Sequence, residues 1–161
     1  MSKIKFYIHE HPDNICQPQP PSKAHPSDVG FDLMLVRKAK RINQTTVMYD
    51  SSISTVPPAG YYFEIVPRSS LSKTGYMMAN SIGVIDPNYR GTLRVVLTQI
   101  DPEAEDIPLP LIKFQLILRK IHEADIEVIH GANEEETDRG TGGFGSTDSQ
   151  NNNISIPNPL Q

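Results

Sequence analysis

The chain has 161 residues, enough for one domain with a real core, and 37% apolar with 21% charged residues argue against wholesale disorder. Fourteen prolines and no Trp argue against a helical bundle, and a formal net charge of −4 argues against nucleic-acid binding through bulk electrostatics. Cys16 is the single cysteine, so no intrachain disulfide can form, which fits a reducing compartment.

In chain order, "KIKFYI" alternates polar and apolar residues and predicts a strand. "HEHPDNICQPQPPSKAHPSD" follows as a Pro-rich loop. His9 and His11 lie in it, two apart, without a Cys or acidic partner at metal spacing, so no zinc site is expected there. Further strands are predicted over "GFDLML", "QTTVMYD", "GYYFEIVP", "GTLRVVLTQ", "IKFQLILRKI" and "ADIEVIH". Arg37, Lys38, Lys40 and Arg41 form a basic patch, read as a loop face. "VPPAG" predicts a turn before Tyr61. The one helical piece expected is a turn or two around "SSLSKTG", ended by Gly75. The most apolar stretch, "LPLIKFQLIL", is about half a membrane span and contains Lys113. No membrane contact is expected, and the reading is of a soluble, intracellular protein.

From Asn133 the composition turns polar. The expected organisation is a folded domain over residues 1–131 and a tail over 132–161. Many short strands with little helix between them predict an all-β barrel or sandwich.

Three polar clusters interrupt the strand pattern. In "SDVGFDL", Asp28 suits turn chemistry, while Asp32 stands between Phe31 and Leu33 where a buried strand begins and could contact a hydrated metal. In "PRSSLSKTG", Arg68 offers a fork of donors beside Ser69, Ser70 and Ser72. Ser69 or Ser70 could cap a helical turn, or the same turn could bind an oxyanion. In "ANSIGVIDPNYRG", Asp86 ends an apolar strand and Tyr89 sits in the turn beyond it, read as a hairpin tip. Asn88 or Gly91 would take unusual backbone angles there. Asp86 and Tyr89 could be turn chemistry alone, or a general base beside an aromatic platform, with Ile85 and Pro87 predicting a buried carboxylate. Near the C-terminus, "RGTGGFGST" places four glycines in nine residues with nothing helical after it.

In order, these stretches resemble the five motifs of the trimeric dUTP nucleotidohydrolases (dUTPases): "DVGFDL", "PRSSLSKTG", "GVIDPNYRG", "KFQLIL" and "RGTGGFGST". The resemblance runs from residue 28 to residue 147. It implies a jelly-roll-like β-barrel with a flexible C-terminal lid, assembled as a homotrimer with active sites shared between subunits. It implies hydrolysis of dUTP to dUMP and pyrophosphate, with Mg²⁺ on the triphosphate. Asp86 matches the general base. Tyr89 matches the residue beneath the deoxyribose. Asn80 matches a uracil contact, and the backbone of Gly83, Val84 and Ile85 pairs with the uracil edge. Arg68, Ser69, Ser70 and Gln115 match phosphate contacts, and Asp32 the carboxylate that holds Mg²⁺ through water. Arg139, Ser146 and Thr147 match γ-phosphate contacts, while Phe144, followed by Gly145, matches the aromatic over uracil. Ser70 stands where most members have Gly. A related fold, dCTP deaminase, needs a catalytic Glu where this chain has Val96.

Overall fold

The computed structural model describes residues 3–142. Two compact units make up the chain, Met1–Glu123 and Ala124–Gln161.

The first unit is an all-β, jelly-roll-like fold of ten strands. They are β1 (Lys5–Ile8), β2 (Phe31–Leu35), β3 (Arg37–Arg41), β4 (Thr46–Asp50), β5 (Ile53–Val56), β6 (Tyr61–Pro67), β7 (Tyr76–Met78), β8 (Gly83–Ile85), β9 (Arg94–Gln99) and β10 (Leu111–Lys120). The only helical element among the described residues is a 3₁₀ turn, Ser69–Lys73. No helix among them is long and apolar enough to cross a membrane.

All strand pairs are antiparallel. One four-stranded sheet has the order β2-β10-β6-β8 and a second the order β3-β4-β9-β7, while β1 and β5 form a two-stranded ribbon. Strand side chains alternate between faces, and the inward residues of both sheets meet in one core. Leu33, Leu35, Phe63, Ile65, Phe114 and Leu116 come from the first sheet; Tyr49, Met78, Val95 and Leu97 come from the second. Each such side chain contributes about 1.5–3 kcal/mol on full burial. Phe6 of the ribbon rests on Phe63, with ring centroids 6.3 Å apart.

Several expectations change. Arg37–Arg41 is not a loop but β3, at one end of its sheet; its charged residues suit an edge, where they discourage pairing with another chain. Residues 86–91 do not close a hairpin: β8 pairs with β6, whereas β9 pairs with β4 and β7, so this turn carries the chain from one sheet to the other. Neither Asn88 nor Gly91 has a positive φ. In the second unit, "ADIEVIH" forms no strand. Its apolar residues Ile126, Val128 and Ile129 are exposed, and no strand pairs with them. The turn before Tyr61 is as expected: Gly60 has φ +78° and the Tyr61 N–H donates to the Pro58 carbonyl.

Candidate active site

Three of the polar residues singled out in the sequence converge because of strand order. β10 lies between β2 and β6, so Gln115 stands opposite Asp32 on one side and Val66 on the other. Arg68 leaves β6 directly after Pro67, and its backbone N–H donates to the Lys113 carbonyl at 2.7 Å. This fixes the root of the side chain. Its Nη1 then donates to Asp32 Oδ2 at 2.9 Å. The pair is part-open, with side-chain exposures of 39% and 29%. An ion pair so open to water adds no more than about 1 kcal/mol, so its use is to aim the guanidinium. Gly30 belongs to the same cluster. A Cβ there would lie 2.1 Å from Gln115 Oε1, so only glycine leaves the amide in place. Ala24, Asp28, Gly30, Asp32, Arg68 and Gln115 line a cavity of about 320 Å³.

Ser69 is exposed and Ser70 half-buried, both on the 3₁₀ turn. Neither caps it. Arg68 occupies the N-cap position with extended backbone and no side-chain cap, while Ser72 Oγ donates to the Ser69 carbonyl. A second cleft, about 430 Å³, runs from Arg68 and Ser69 to Met77 and Ser81.

The residues around β8 form a separate group. Asn80 is exposed just before the strand, and its carbonyl accepts from the Ile82 N–H at 2.6 Å. Gly83 is buried, where a Cβ would meet Met78 at 3.2 Å and Ile65 at 3.4 Å. Val84 is exposed and Ile85 half-buried. β8 ends its sheet, so no strand among the described residues uses the outer side of its backbone. Asp86 follows it and is exposed, not buried between Ile85 and Pro87 as expected; apolar neighbours in sequence do not cover a carboxylate at a turn. The Tyr89 N–H donates to the Asp86 carbonyl at 3.0 Å. The Tyr89 ring lies over Gly91, and its Oη donates to the Thr92 carbonyl at 3.1 Å.

Asp86 does not reach the Arg68 group within one chain. Ile85 pairs with Phe63, which puts Asp86 level with Tyr62, six residues from Arg68 along β6. At roughly 3.3 Å per strand residue the gap is about 20 Å. In the second unit, Arg139 is exposed and its Nε donates to the Gly142 carbonyl at 3.0 Å, within a turn where Gly140 has φ +53°. Phe144, Gly145, Ser146 and Thr147 lie outside the described residues.

Asp32 is the donor expected for Mg²⁺, and one of its oxygens is already used by Arg68. No group of three or more His, Cys, Asp or Glu side chains among the described residues could hold a metal. A single carboxylate does not hold a bare ion. It does fit a largely hydrated Mg²⁺ that arrives on phosphate oxygens, since this ion keeps several waters and needs only one or two carboxylates.

Sequence reasoning passed over Gly30 and Gly91 as site residues, and also a cluster on the outer face of the first sheet. There Arg119 Nε donates to Glu64 Oε2 at 2.9 Å and Tyr62 Oη to Glu64 Oε1 at 3.0 Å. The Arg119 bond, then the Tyr62 bond, hold the Glu64 carboxyl below the usual carboxylate range.

The family model described as dUTPase matches residues 18–148 of the chain. A deoxyuridine 5'-triphosphate nucleotidohydrolase of Corynebacterium jeikeium is 32% identical over 133 residues, covering 79% of this chain and 84% of its own. The enzyme of the same name from Candida albicans is 34% identical over 127 residues, covering 79% of each chain. Among solved structures, the Staphylococcus bacteriophage 80alpha dUTPase with dUpNHpp superposes with a TM-score of 0.69 at 17% identity, over 91% of this chain and 98% of that one. A mutant dUTPase from phage phi11 of S. aureus, described with a structural Mg(II) ion, gives 0.63 at 14% identity, over 82% of this chain and 99% of that one. At such identities the two structures speak for the fold.

Proposed function

The chain belongs to the dUTPase family and is a dUTP diphosphatase; we propose that it cleaves dUTP to dUMP and pyrophosphate by Asp86-assisted attack of water on the α-phosphorus. The observation that carries this reading is the convergence of Asp32, Arg68 and Gln115 across three neighbouring strands, beside a cavity of about 320 Å³.

In this reading Arg68, Ser69, Ser70 and Gln115 bind the phosphates. Arg68 spends one nitrogen on Asp32 and keeps the rest of its fork for phosphate oxygens. Asp32 would hold a triphosphate-borne Mg²⁺ through water, and the ion would supply charge neutralisation at the phosphoryl oxygens. The outer backbone edge of β8 at Gly83, Val84 and Ile85 pairs with uracil, helped by Asn80. Close approach of that backbone excludes a base with a 5-methyl group. Tyr89 lies under the deoxyribose and leaves no room for a 2'-hydroxyl. Asp86 takes the proton of the attacking water as the bond from α-phosphorus to bridging oxygen breaks, and pyrophosphate leaves.

Asp86 and Tyr89 cannot serve the Arg68 group of their own chain across about 20 Å. The homotrimer that the family resemblance implies would complete the site between subunits, Asp86 and Tyr89 from one chain facing Arg68 and Gln115 of another. The tail residues Arg139, Phe144, Gly145, Ser146 and Thr147 close over the nucleotide, Arg139, Ser146 and Thr147 on the γ-phosphate and Phe144 on uracil.

The test is chromatographic product analysis with dUTP, dCTP, dTTP and UTP, each with Mg²⁺. dUMP and pyrophosphate from dUTP alone are expected. dUTP or dUMP released from dCTP would make the chain a deaminase and remove the role given to Asp86.

A further inference from the structure

Asp50, the last residue of β4, is fully buried and lies outside every motif quoted above. Its Oδ2 accepts from Arg37 Nη2 at 2.6 Å, Thr92 Oγ1 at 2.9 Å and Arg94 Nε at 3.0 Å. Its Oδ1 accepts from the Ser52 N–H at 2.7 Å. A buried carboxylate is costly unless its charge is paired and its lone pairs are filled, and here both conditions are met. Apolar residues in place of the whole cluster could fold as well or better, whereas losing Asp50 alone would strand its arginines. The arrangement even leaves Arg37 Nε buried without a partner. What the carboxylate holds is therefore the more telling question.

It holds the root of the Tyr89 turn. Asp86, Asn88, Tyr89 and Arg90 are all exposed, so little packing fixes this crossing between the sheets. Two contacts place the Tyr89 ring: its lie over Gly91, and its Oη bond to the Thr92 carbonyl. The Thr92 side chain is tied in turn to Asp50 and shares the Arg94 Nε donor, 3.2 Å away. The next residue, Leu93, is fully buried, and the segment after Asp50 grips it from both sides. Its N–H donates to the Ile53 carbonyl at 2.7 Å, and its carbonyl accepts from Ser51 N–H and Oγ.

We propose that Asp50 is a positioning residue for Tyr89, acting through Thr92 to hold the ring at the angle that separates deoxyribose from ribose. The sugar part of this proposal rests on the role given to Tyr89 above. Asp50 never touches substrate; without its grip on Thr92, the peptide whose carbonyl anchors Tyr89 Oη is held only from its Leu93 side, and the ring gains freedom to tilt over Gly91.

The test uses the full chain with its six tyrosines replaced by 3-fluorotyrosine, the Tyr89 ¹⁹F resonance being assigned by its loss in Tyr89→Phe. Asp50→Asn is the direct variant, but two arginines left against a neutral amide could prevent folding. Thr92→Val removes only the link and keeps both ion pairs. In Thr92→Val the Tyr89 resonance is expected to move and the ratio of kcat/KM for dUTP over UTP to fall about tenfold, the scale of a hydrogen bond to a charged group. Thr92→Ser, which keeps the hydroxyl, is expected to restore both. A Tyr89 resonance unmoved by Thr92→Val overturns the proposal. A resonance that moves while the ratio stays constant overturns the link to sugar choice. Failure of the Tyr89 reading itself would show elsewhere, as an unchanged ratio in Tyr89→Ala while Thr92→Val still moves the resonance.

Discussion

Asp86 sits on an exposed turn, where its carboxylate is open to solvent. Asp86→Asn keeps the size and polarity of the side chain but removes the acceptor for the water's proton. Turnover of dUTP is expected to fall by about 10²–10⁴ while binding is kept. Steady-state kcat and the Kd of a non-hydrolysable dUTP analogue check this, and normal turnover would end the assignment of Asp86 as base. At this scale the sequence was informative wherever the residue type itself carries the chemistry. Asp32 and Arg68 were legible as candidates by residue type and Gln115 only through the family resemblance, and two antiparallel registers bring them together. Gly30 and Gly91 were not, because each is required by another side chain, Gln115 in one case and Tyr89 in the other. Asp50 was not either, since it merely ends the predicted strand "QTTVMYD" and has no charged partner near it in sequence. Its three side-chain partners come from residues distant in the chain or beyond the next strand.

Strands rich in β-branched and aromatic residues could be read directly: β1, β2, β4, β6, β9 and β10 fall on predicted runs. β3 was hidden by its four charged residues, and β5 and β7 by their brevity. Alternation tells that a strand exists but not which strand it joins, so Gly83–Ile85 looked like one arm of a hairpin when its partner is β6. The same limit explains "ADIEVIH", which has a strand's composition and no neighbour. The outer face of the β6–β10 pair supports a prediction of its own. Arg119 and Tyr62 hold Glu64 below its ordinary range, so its folded value lies below its unfolded one. The stability it adds is present above the unfolded value, about 4.3, and is lost as pH falls through the folded value. Glu64→Gln is therefore expected to lower Tm at pH 7, with the gap from the parent protein closing in acid. Thermal melts across that range decide it; a constant gap would mean that the Glu64 contacts do not depend on its charge.

For the whole molecule, the gap along β6 between Asp86 and Arg68 has a direct corollary. If sites are shared between subunits, two inactive variants can repair each other. Asp86→Asn and Arg68→Ala, each close to inactive alone, are expected to regain dUTP hydrolysis when co-refolded, because some mixed sites contain an intact Asp86 facing an intact Arg68. Mixtures no more active than their parts would show that each chain completes its own site. The order β2-β10-β6-β8 matters in one more way, during synthesis. The strand that completes the centre of this sheet is the last one made. Until Leu111–Lys120 has left the ribosome, β2 and β6 carry facing rows of unmatched N–H and C=O groups, the kind of edge that recruits foreign strands. Asp32 and Arg68 then have no Gln115 between them. The growing chain must keep two adhesive edges apart while residues 68–120 are made, and the Asp32, Arg68 and Gln115 cluster appears only when one late segment is inserted between them.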